Sequence, residues 1–378
     1  MPLLETSLWS ATSTPLKSFV GRPLPATADV VVIGGGYTGV SAALQLAKHG
    51  ARVTLLEAQT LGWGASSRNG GQVLTGLKHG FEELLRTVGR ERARELYDAS
   101  IKTIACVETI MADEGIECDY ARSGHIEAAY KPAHFDAYRR TQEVLAREFN
   151  HPTRIVPKAD LHSELGTDYY HGGLVDERSG GLHPGKYLNG LALAAERAGA
   201  DLHELTPAQA IEKNAGGFTV NTARGAIRAR DVFVATNGYT GRVTPQFQRR
   251  IIPIGSYVIA TEPLDPALAG RLIPRKRMVF DSKKFLYYFR VSPDGRMVFG
   301  GRAAFFPAAE NTVRESAGIL RRGMLEVFPE LAAAPTAYAW GGTLGFTFDI
   351  YPHAGVMDGM HYAMGYAGHG VAMATFLG

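Results

Sequence analysis

The sequence predicts an α/β protein, and three observations within its first sixty residues support this fold class. Residues 29–33 form an apolar run of strand length, and a glycine-rich turn follows directly. Val40, Leu44 and Ala47 then recur at helical spacing, and a second strand is expected at residues 52–56. The order strand, turn, helix, strand is typical of a βαβ unit, whose two strands lie parallel in a buried sheet.

The turn between the first strand and the helix has the spacing of a dinucleotide-binding motif. Residues 34–39 fit GxGxxG: Gly34 permits the tight turn, Gly36 lets the backbone approach a pyrophosphate, and Gly39 lets the helix pack closely on the strand. The helix N-terminus offers N–H groups to the phosphates. Glu57 ends the second strand, where a carboxylate accepts hydrogen bonds from ribose hydroxyls. The motif predicts a site for FAD or NAD; a glycine turn in an unrelated α/β protein is the alternative.

Two further glycine-rich segments favour FAD over NAD. Residues 62–71 follow Glu57 almost at once, and their small side chains allow the backbone to lie against a flat ligand. The same segment carries the hydrogen-bonding residues Ser66, Ser67, Arg68 and Asn69. Residues 366–370 form the second segment and open a helix near the end of the chain. The alternative for residues 62–71 is a flexible surface loop.

The rest of the chain alternates between helical and strand patterns. Helical spacing marks residues 81–115 and residues 184–198, which begin at Pro184. Two hairpins are expected, one joining residues 218–222 to 226–230 and one joining residues 285–290 to 296–300 through a Pro-Asp-Gly turn. Further strands are expected at residues 232–235 and 361–364. The helix that begins near Gly370 has barely two turns before Gly378, so we expect the C-terminal end of the protein to be missing.

Composition excludes several classes of function. The formal net charge is only +3, and no stripe of Lys or Arg supports nucleic-acid binding. No apolar stretch is long enough for a membrane helix, and residues 1–20 lack the pattern of a signal peptide, so we expect a cytoplasmic protein. Cys106 and Cys118 are the only cysteines, too few for a cysteine metal site, and the 12 histidines show no HExxH motif. We expect no metal.

Seven short motifs, in order along nearly the whole chain, resemble the D-amino-acid-oxidase and glycine-oxidase superfamily of FAD enzymes. The Arg-Asn-Gly-Gly element at residues 68–71 is most similar to the branch of that family that oxidises gamma-glutamylputrescine. The motifs are residues 34–39, 64–72, 235–239, 260–263, 287–290, 300–302 and 365–370.

The resemblance implies a Rossmann-like FAD-binding domain with an inserted α+β substrate domain built on a β-sheet. The FAD-binding domain is expected at residues 25–80, 150–245 and 337–378, and the substrate domain at residues 81–149 and 246–336. The residues expected to bind FAD are Gly34, Gly36, Tyr37, Thr38, Gly39, Glu57, Ala58, Gly64, Ala65, Ser66, Arg68, Asn69, Gly70, Gly71, Gln72, Ala208, Ala235, Thr236, Gly368, His369, Gly370 and Val371.

The chemistry implied by the resemblance is oxidation of a small amine to an imine, with hydride transfer to the flavin. His369 is the candidate catalytic residue, as a hydrogen-bond donor or proton-transfer group; helix capping or packing is the alternative. Some relatives use a lysine beside the flavin to promote reaction with oxygen, and here Phe299 or a neighbour takes that position. Two alternatives therefore stay open for the electron acceptor: oxygen, as in an oxidase, or a quinone or protein, as in a dehydrogenase.

Substrate recognition is expected from the strand at residues 285–290. Alternation places Leu286, Tyr288 and Arg290 on one face. Arg290 and Arg302 are candidates for binding a substrate carboxylate, because a guanidinium binds it bidentately. A solvated strand end is the alternative for both arginines. Tyr257 is expected to line the pocket with Tyr288, and Trp9 and Trp340 are ambiguous, since aromatic residues in strands are usually core.

Three other functions remain compatible with these patterns. The nearest is an FAD enzyme that oxidises glycine, proline or a D-amino acid. The others are an NAD-dependent dehydrogenase and a dinucleotide-binding sensor or assembly protein without enzymatic activity.

Overall fold

The computed structural model describes residues 3–14, 16–304 and 312–378, with the backbone alone for residues 302–304. The helices are α1 Leu8–Thr12, α2 Tyr37–Lys48, α3 Phe81–Val88, α4 Arg90–Glu114, α5 Pro132–Phe149, α6 Pro184–Arg197, α7 Pro245–Gln248, α8 Pro266–Leu272, α9 Thr312–Val327 and α10 Gly370–Leu377. The strands are β1 Thr27–Ile33, β2 Val53–Leu56, β3 Gln72–Val73, β4 His125–Ala128, β5 Arg154–Pro157, β6 Gly172–Asp176, β7 Gly180–Gly181, β8 Asp201–His203, β9 Ala208–Asn214, β10 Gly217–Thr222, β11 Gly225–Val234, β12 Ile252–Thr261, β13 Met278–Asp281, β14 Tyr288–Val291, β15 Met297–Ala304, β16 Thr336–Phe346, β17 His353–Met357 and β18 Met360–Met364.

The first sheet contains the βαβ unit expected from the sequence. Its strand order is β17-β18-β11-β1-β2-β8, and β9 and β10 extend it from β11. Strand β1 lies at the centre, paired in parallel with β2 on one side and β11 on the other. Because β1 is covered on both faces, its residues 30–33 are all buried, which explains the continuous apolar run.

Strand β11 combines two strands that the sequence suggested separately. Its first half pairs antiparallel with β10, as the expected hairpin, and the same strand continues through Val232 to Val234 beside β1. The predicted hairpin is confirmed, but the separate strand at residues 232–235 is wrong. Asp231, the polar residue between the two apolar runs, is itself part of the strand, so no turn separates them.

Helices cover one face of the first sheet and form the largest hydrophobic cluster. Helices α2, α4, α6 and α10 contribute to it, with Leu44, Ile110, Leu188 and Val371 among the buried side chains. The predicted helix over residues 81–115 is split into α3 and α4 at Gly89, which has φ +79°. In the described part of the chain, no helix combines the length and the apolar composition needed to cross a membrane.

The second sheet has the order β16-β12-β15-β14-β13-β4-β6-β5. All of its pairs are antiparallel except β13 with β4. The second predicted hairpin is present as β14 and β15, although its first strand begins at Tyr288 rather than at Phe285.

Sheet membership differs from the predicted domain boundaries. Residues 154–176 were expected in the FAD-binding domain, but β5 and β6 belong to the second sheet. Strand β16, whose residues after 336 were also expected there, joins the second sheet through ten register pairs with β12. Helix α4, expected in the substrate domain, packs with the first sheet through Ile104, Val107 and Ile110. Pairing between distant segments fixes these memberships, and local patterns do not encode it.

The second sheet has two faces of different character. Its outer face packs against α9 in a hydrophobic cluster that includes Phe289 and Phe299. Register pairs place Glu127, Phe280 and Tyr288 in one row on the opposite face. His125 and Arg290 lie two residues along β4 and β14 from this row, so they share its face. We call these five residues the inner face.

Candidate active site

A cavity of about 390 Å³ lies where the glycine-rich segments meet, within the range of about 300–1,000 Å³ usual for small-ligand sites. Three predicted segments contribute to it: the turn after β1, the loop after β2 and the turn before α10. The residues expected to bind FAD that line it are Gly34, Gly36, Tyr37, Thr38, Glu57, Ala58, Gly64, Ala65, Ser66, Asn69, Ala208, Ala235, Thr236, Gly368, Gly370 and Val371.

The glycine turn packs so closely on its neighbours that Gly34 and Gly36 have no room for a Cβ atom. Gly34 has φ +111°, and a Cβ there would lie 2.9 Å from the carbonyl oxygen of Ala235. A Cβ on Gly36 would lie 2.9 Å from Ser66 Oγ, on the cavity wall. Ser66 Oγ accepts a hydrogen bond from the backbone N–H of Tyr37 at 2.9 Å. The turn therefore packs directly on Ala235 at Gly34 and on the loop after β2 at Gly36, and neither position has room for a side chain.

Gly39 serves helix packing rather than ligand contact. A Cβ on this residue would lie 1.8 Å from the carbonyl oxygen of Gly34 and 3.2 Å from a methyl group of Val32. Gly39 does not line the cavity. Its absent side chain allows α2 to approach β1, which aims the helix N-terminus at the cavity.

Glu57 presents its carboxylate at the end of β2. One oxygen accepts a hydrogen bond from Gly35 N at 2.6 Å, and the other accepts one from Gln59 N at 2.8 Å. Burial raises the pKa of Glu57, while these backbone N–H groups oppose that rise. The two donors fix the carboxylate at the cavity wall, and each oxygen retains a lone pair for a ribose hydroxyl.

The side chains of the Arg-Asn-Gly-Gly element form hydrogen bonds to the backbone of the same loop. Asn69 Nδ2 donates to the carbonyls of Ala65 and Ser66 at 3.1 and 3.0 Å, and its Oδ1 accepts from Gly71 N at 2.7 Å. Arg68 donates through Nε to the carbonyl of Trp63 at 2.6 Å. These polar groups therefore fix the shape of the loop.

Two tryptophans, whose role was ambiguous from the sequence, hold the same loop in place through hydrogen bonds from their indole N–H groups. Trp9 Nε1 donates to the carbonyl of Asn69 at 2.7 Å, and Trp340 Nε1 donates to the carbonyl of Arg68 at 2.9 Å. Both rings are buried and contact each other edge to face at 6.4 Å. They support the loop and do not line the cavity.

Helix α10 brings the C-terminal turn to the cavity. Tyr366 OH and Thr38 Oγ1 are 2.6 Å apart, and Ser41 Oγ donates to the carbonyl of Thr375 at 2.8 Å. These bonds hold α10 against α2, so the N-termini of both helices border one cavity.

His369 lies between two glycines that line the cavity but does not line it itself. Its Nδ1 is buried without a hydrogen-bond partner in the described residues. Burial, followed by the charges of Lys78 and His125, lowers the pKa of His369 to about 4. The imidazole is therefore neutral at pH 7. Its side chain caps no backbone group of α10, which argues against the capping alternative.

The residues expected to bind substrate fall in different places. Tyr288 and Arg290 lie on the inner face, and Tyr257 packs in the hydrophobic cluster of the outer face. The sheet thus does not bring Tyr257 together with the other two. The side chain of Arg302, the other arginine expected to bind a substrate carboxylate, lies outside the described residues.

Tyr288 is held between two glycines. A Cβ on Gly300 would lie 2.2 Å from its ring, and a Cβ on Gly70 would lie 2.9 Å from it. The hydroxyl of Tyr288 is 3.3 Å from Ser256 Oγ. The ring therefore connects the second sheet to the Arg-Asn-Gly-Gly element.

Arg290 is a buried guanidinium with an incomplete set of partners. Its Nη1 donates to the carbonyls of Gly71 and Leu182, both at 2.9 Å, and its Nε is buried without a hydrogen-bond partner in the described residues. No carboxylate of the described residues lies within 4.0 Å of it. Burial lowers the pKa of Arg290 to about 10, so the group remains charged at pH 7.

Six of the expected FAD residues do not line the cavity, and several that do were missed. The six are Gly39, Arg68, Gly70, Gly71, Gln72 and His369. The missed lining residues include Gln59, Trp63, Pro207, Asn237, Tyr239, Gly241, Val243, Thr244, Leu344, Gly345, Tyr366 and Ala367. Asn237 and Tyr239 belong to the motif at residues 235–239, so extending the assignment along that motif would have found them. Leu344 and Gly345 belong to β16, and their position depends on the sheet.

The glycine turn, the fixed carboxylate after β2 and the cavity between two helix N-termini define a dinucleotide-binding protein. Comparison with known proteins identifies the family more closely. Residues 29–378 match the model of the DAO family, described as FAD dependent oxidoreductase. The chain belongs to this family, it is an oxidoreductase, and its cofactor is FAD. The resemblance inferred from the motifs is confirmed, and NAD and a non-enzymatic role are set aside.

Individual relatives agree with the family match. The chain is 36% identical to the probable oxidoreductase OrdL of Haemophilus influenzae over 359 residues, covering 93% of this chain and 81% of that protein. It is 32% identical to the gamma-glutamylputrescine oxidoreductase of Escherichia coli, covering 93% and 82% of the two chains. The crystal structure of glycine oxidase from Geobacillus kaustophilus has the same fold, with a TM-score of 0.75, 21% identity and 93% coverage of both chains.

Proposed function

We propose that this enzyme oxidises the C–N bond of a small amine that also carries a carboxylate, as gamma-glutamylputrescine does. The main observation is that Arg290 is a buried cation on the inner face and forms no ion pair with a carboxylate of the described residues. A buried charge is costly unless it is paired, so its retention favours a ligand that supplies the missing anion. The similarity to gamma-glutamylputrescine oxidoreductase supports the same substrate class.

In this proposal the first sheet and its helices bind the cofactor, and the inner face of the second sheet binds the substrate. Bound FAD supplies the hydride acceptor. Gly34, Gly36 and Glu57 hold its ADP half, the loop 64–71 lies beside the flavin, and the N-terminus of α10 favours negative charge. Arg290 anchors the carboxylate, and neutral His369 is available as a hydrogen-bond partner. The final electron acceptor is either oxygen or a quinone or protein, and the experiment below distinguishes them.

Anaerobic mixing of the holoenzyme with candidate substrates tests the proposal. Bleaching of the flavin absorbance should be fast with gamma-glutamylputrescine, slower with putrescine, and absent with glycine or proline. Rapid bleaching by glycine or proline would instead support the amino-acid oxidase alternative. Repeating the reaction in air and following oxygen consumption identifies whether oxygen accepts the electrons.

A variant of Arg290 tests the anchor itself. Arg290→Lys keeps a cation but loses the bidentate geometry, so kcat/KM for gamma-glutamylputrescine should fall by a factor that corresponds to about 2–5 kcal/mol. The value for putrescine, which has no carboxylate, should change little. Arg228→Lys, at an exposed arginine of β11, is the matched control. Equal losses on both amines would mean that Arg290 supports the fold and not the substrate.

A further inference from the structure

The inner face carries a second unpaired charge, of opposite sign to Arg290. Glu127 lies on β4, in the row of Phe280 and Tyr288, and is half-buried. No Lys, Arg or His of the described residues lies within 4.0 Å of its carboxylate. The nearby acid Asp281 already has a cation, because Lys283 Nζ is 3.3 Å from its carboxylate. Glu127 is thus left as an acceptor of positive charge on this face.

The groups around Glu127 connect it to the cavity. Lys78, Tyr138 and Asp281 are the side chains that act on its ionisation. The charge of Lys78 also acts on His369, which the two cavity-lining glycines flank. The row that holds Glu127 also reaches the loop 64–71, because a Cβ on Gly70 would lie 2.9 Å from the ring of Tyr288 in that row.

The neighbouring basic residues His125, His369 and Lys78 do not supply a fixed positive charge to neutralise Glu127. Burial lowers the pKa of His125, as it lowers that of His369, so both imidazoles are neutral at pH 7. Lys78 is exposed and forms no ion pair among the described residues. Burial also raises the pKa of Glu127 to about 7, while Tyr138 and the charge of Lys78 oppose that rise.

We propose that Glu127 is the binding partner of the substrate ammonium group, opposite the Arg290 anchor for the carboxylate. This inference rests on the proposed function and narrows its substrate class. Glu127 and Arg290 lie two strands apart and two residues apart along the strand, a Cα separation of roughly 12 Å. A ligand that meets both is extended, with its ammonium and its carboxylate at opposite ends. An α-amino acid, whose two charges adjoin one carbon, does not fit this arrangement.

Binding of a non-oxidisable amine tests the proposal without relying on turnover. A primary amine on a tertiary carbon has no C–H bond to lose, so its dissociation constant can be measured from the change that it causes in the flavin spectrum of the holoenzyme. Glu127→Gln, nearly isosteric, should raise that constant at least tenfold. The alcohol of the same shape, which carries no charge, should bind both proteins equally. Glu117→Gln, at an exposed glutamate, is the matched control and should change neither constant.

The variant Lys78→Met distinguishes two roles for Glu127: binding the substrate ammonium group, or forming a structural pair with Lys78. If Glu127 binds the ammonium, removing the neighbouring cation should leave the amine affinity unchanged or make it tighter. If Glu127 instead serves to hold Lys78, this variant should weaken amine binding, and that result would overturn the proposal.

Two further outcomes would also count against it. Unchanged amine binding in Glu127→Gln refutes the role of Glu127, and equal losses for amine and alcohol mean that the residue shapes the pocket only. These results differ from failure of the proposed function, in which no amine perturbs or bleaches the flavin of the unsubstituted enzyme.

Discussion

Replacing Gly39 by alanine offers a direct test of how the glycine turn builds the cofactor site. The added Cβ would lie 1.8 Å from the carbonyl oxygen of Gly34 and 3.1 Å from its carbonyl carbon. Optimal non-bonded separations are about 3.5 Å, so α2 must move away from β1 by roughly 1.7 Å. Both contacts are with backbone atoms, which cannot rotate aside as a side chain would.

The expected cost of this substitution follows from that shift. Overpacking typically costs about 1–3 kcal/mol and sometimes more, and here the upper end applies because the backbone is rigid. At about 2–4 °C per kcal/mol, Tm should fall by roughly 6–12 °C. The displaced helix also moves its N-terminus away from the pyrophosphate, so the FAD content of the purified protein should fall as well.

Gly318→Ala is the matched control. Gly318 lies within α9, and a Cβ there would have no atom within 4 Å. Alanine is favoured over glycine in a helix interior by about 1 kcal/mol, so this variant should be slightly more stable and retain full FAD. Thermal unfolding and flavin absorbance of both variants make the comparison. A Gly39→Ala protein with unchanged Tm and FAD content would refute the packing argument.

Two further predictions concern the cofactor. Glu57→Gln should lower FAD retention on dialysis, because charge-assisted hydrogen bonds of about 1.5–3 kcal/mol each become neutral ones; full retention would contradict a role in binding ribose. The flavin should not be linked through a cysteine, since Cys118 is buried in the largest hydrophobic cluster, Cys106 packs against that cluster, and neither residue lines the cavity. Acid precipitation should therefore leave the yellow colour in solution, and colour in the pellet would indicate another covalent bond.

The βαβ unit was predictable because all of its determinants are local. An apolar strand, the glycines and the carboxylate after β2 lie within thirty residues, and each has a specific physical requirement. The same holds for helix α6, where Pro184 occupies the first turn as expected. By contrast, the split at Gly89 depends on a left-handed glycine between two segments of equal helical character.

Long-range pairing limited the rest of the prediction. The local sequences of β5 and β16 do not assign them to a sheet, and only their partners β6 and β12 place them in the second sheet. The lining residues Leu344 and Gly345 reach the cavity through that pairing. Their local sequence carries no sign of a ligand.

The inner face shows where alternation within one strand stops being informative. Alternation correctly grouped Tyr288 with Arg290 and separated them from Phe289. It could not relate Tyr257 to them, because the face of a residue on β12 depends on how β12 pairs with β15. Tyr257 pairs with Gly301 and lies two residues from Ile259, the partner of Phe299, so it shares the outer face and packs under α9 instead of lining the pocket.

Glu127 is central to the substrate proposal but was missed in the sequence, because its position also depends on pairing between strands. In the sequence it is one carboxylate among many, within a short segment that gives no motif. Only the parallel pairing of β4 with β13 places it in a row with Phe280 and Tyr288. Two charges of opposite sign, each unpaired within the described residues, then share one sheet face. A buried or half-buried charge without an ion-pair partner is costly, so two such charges of opposite sign on the face beside the loop 64–71 favour the proposed ligand, which carries both counter-charges.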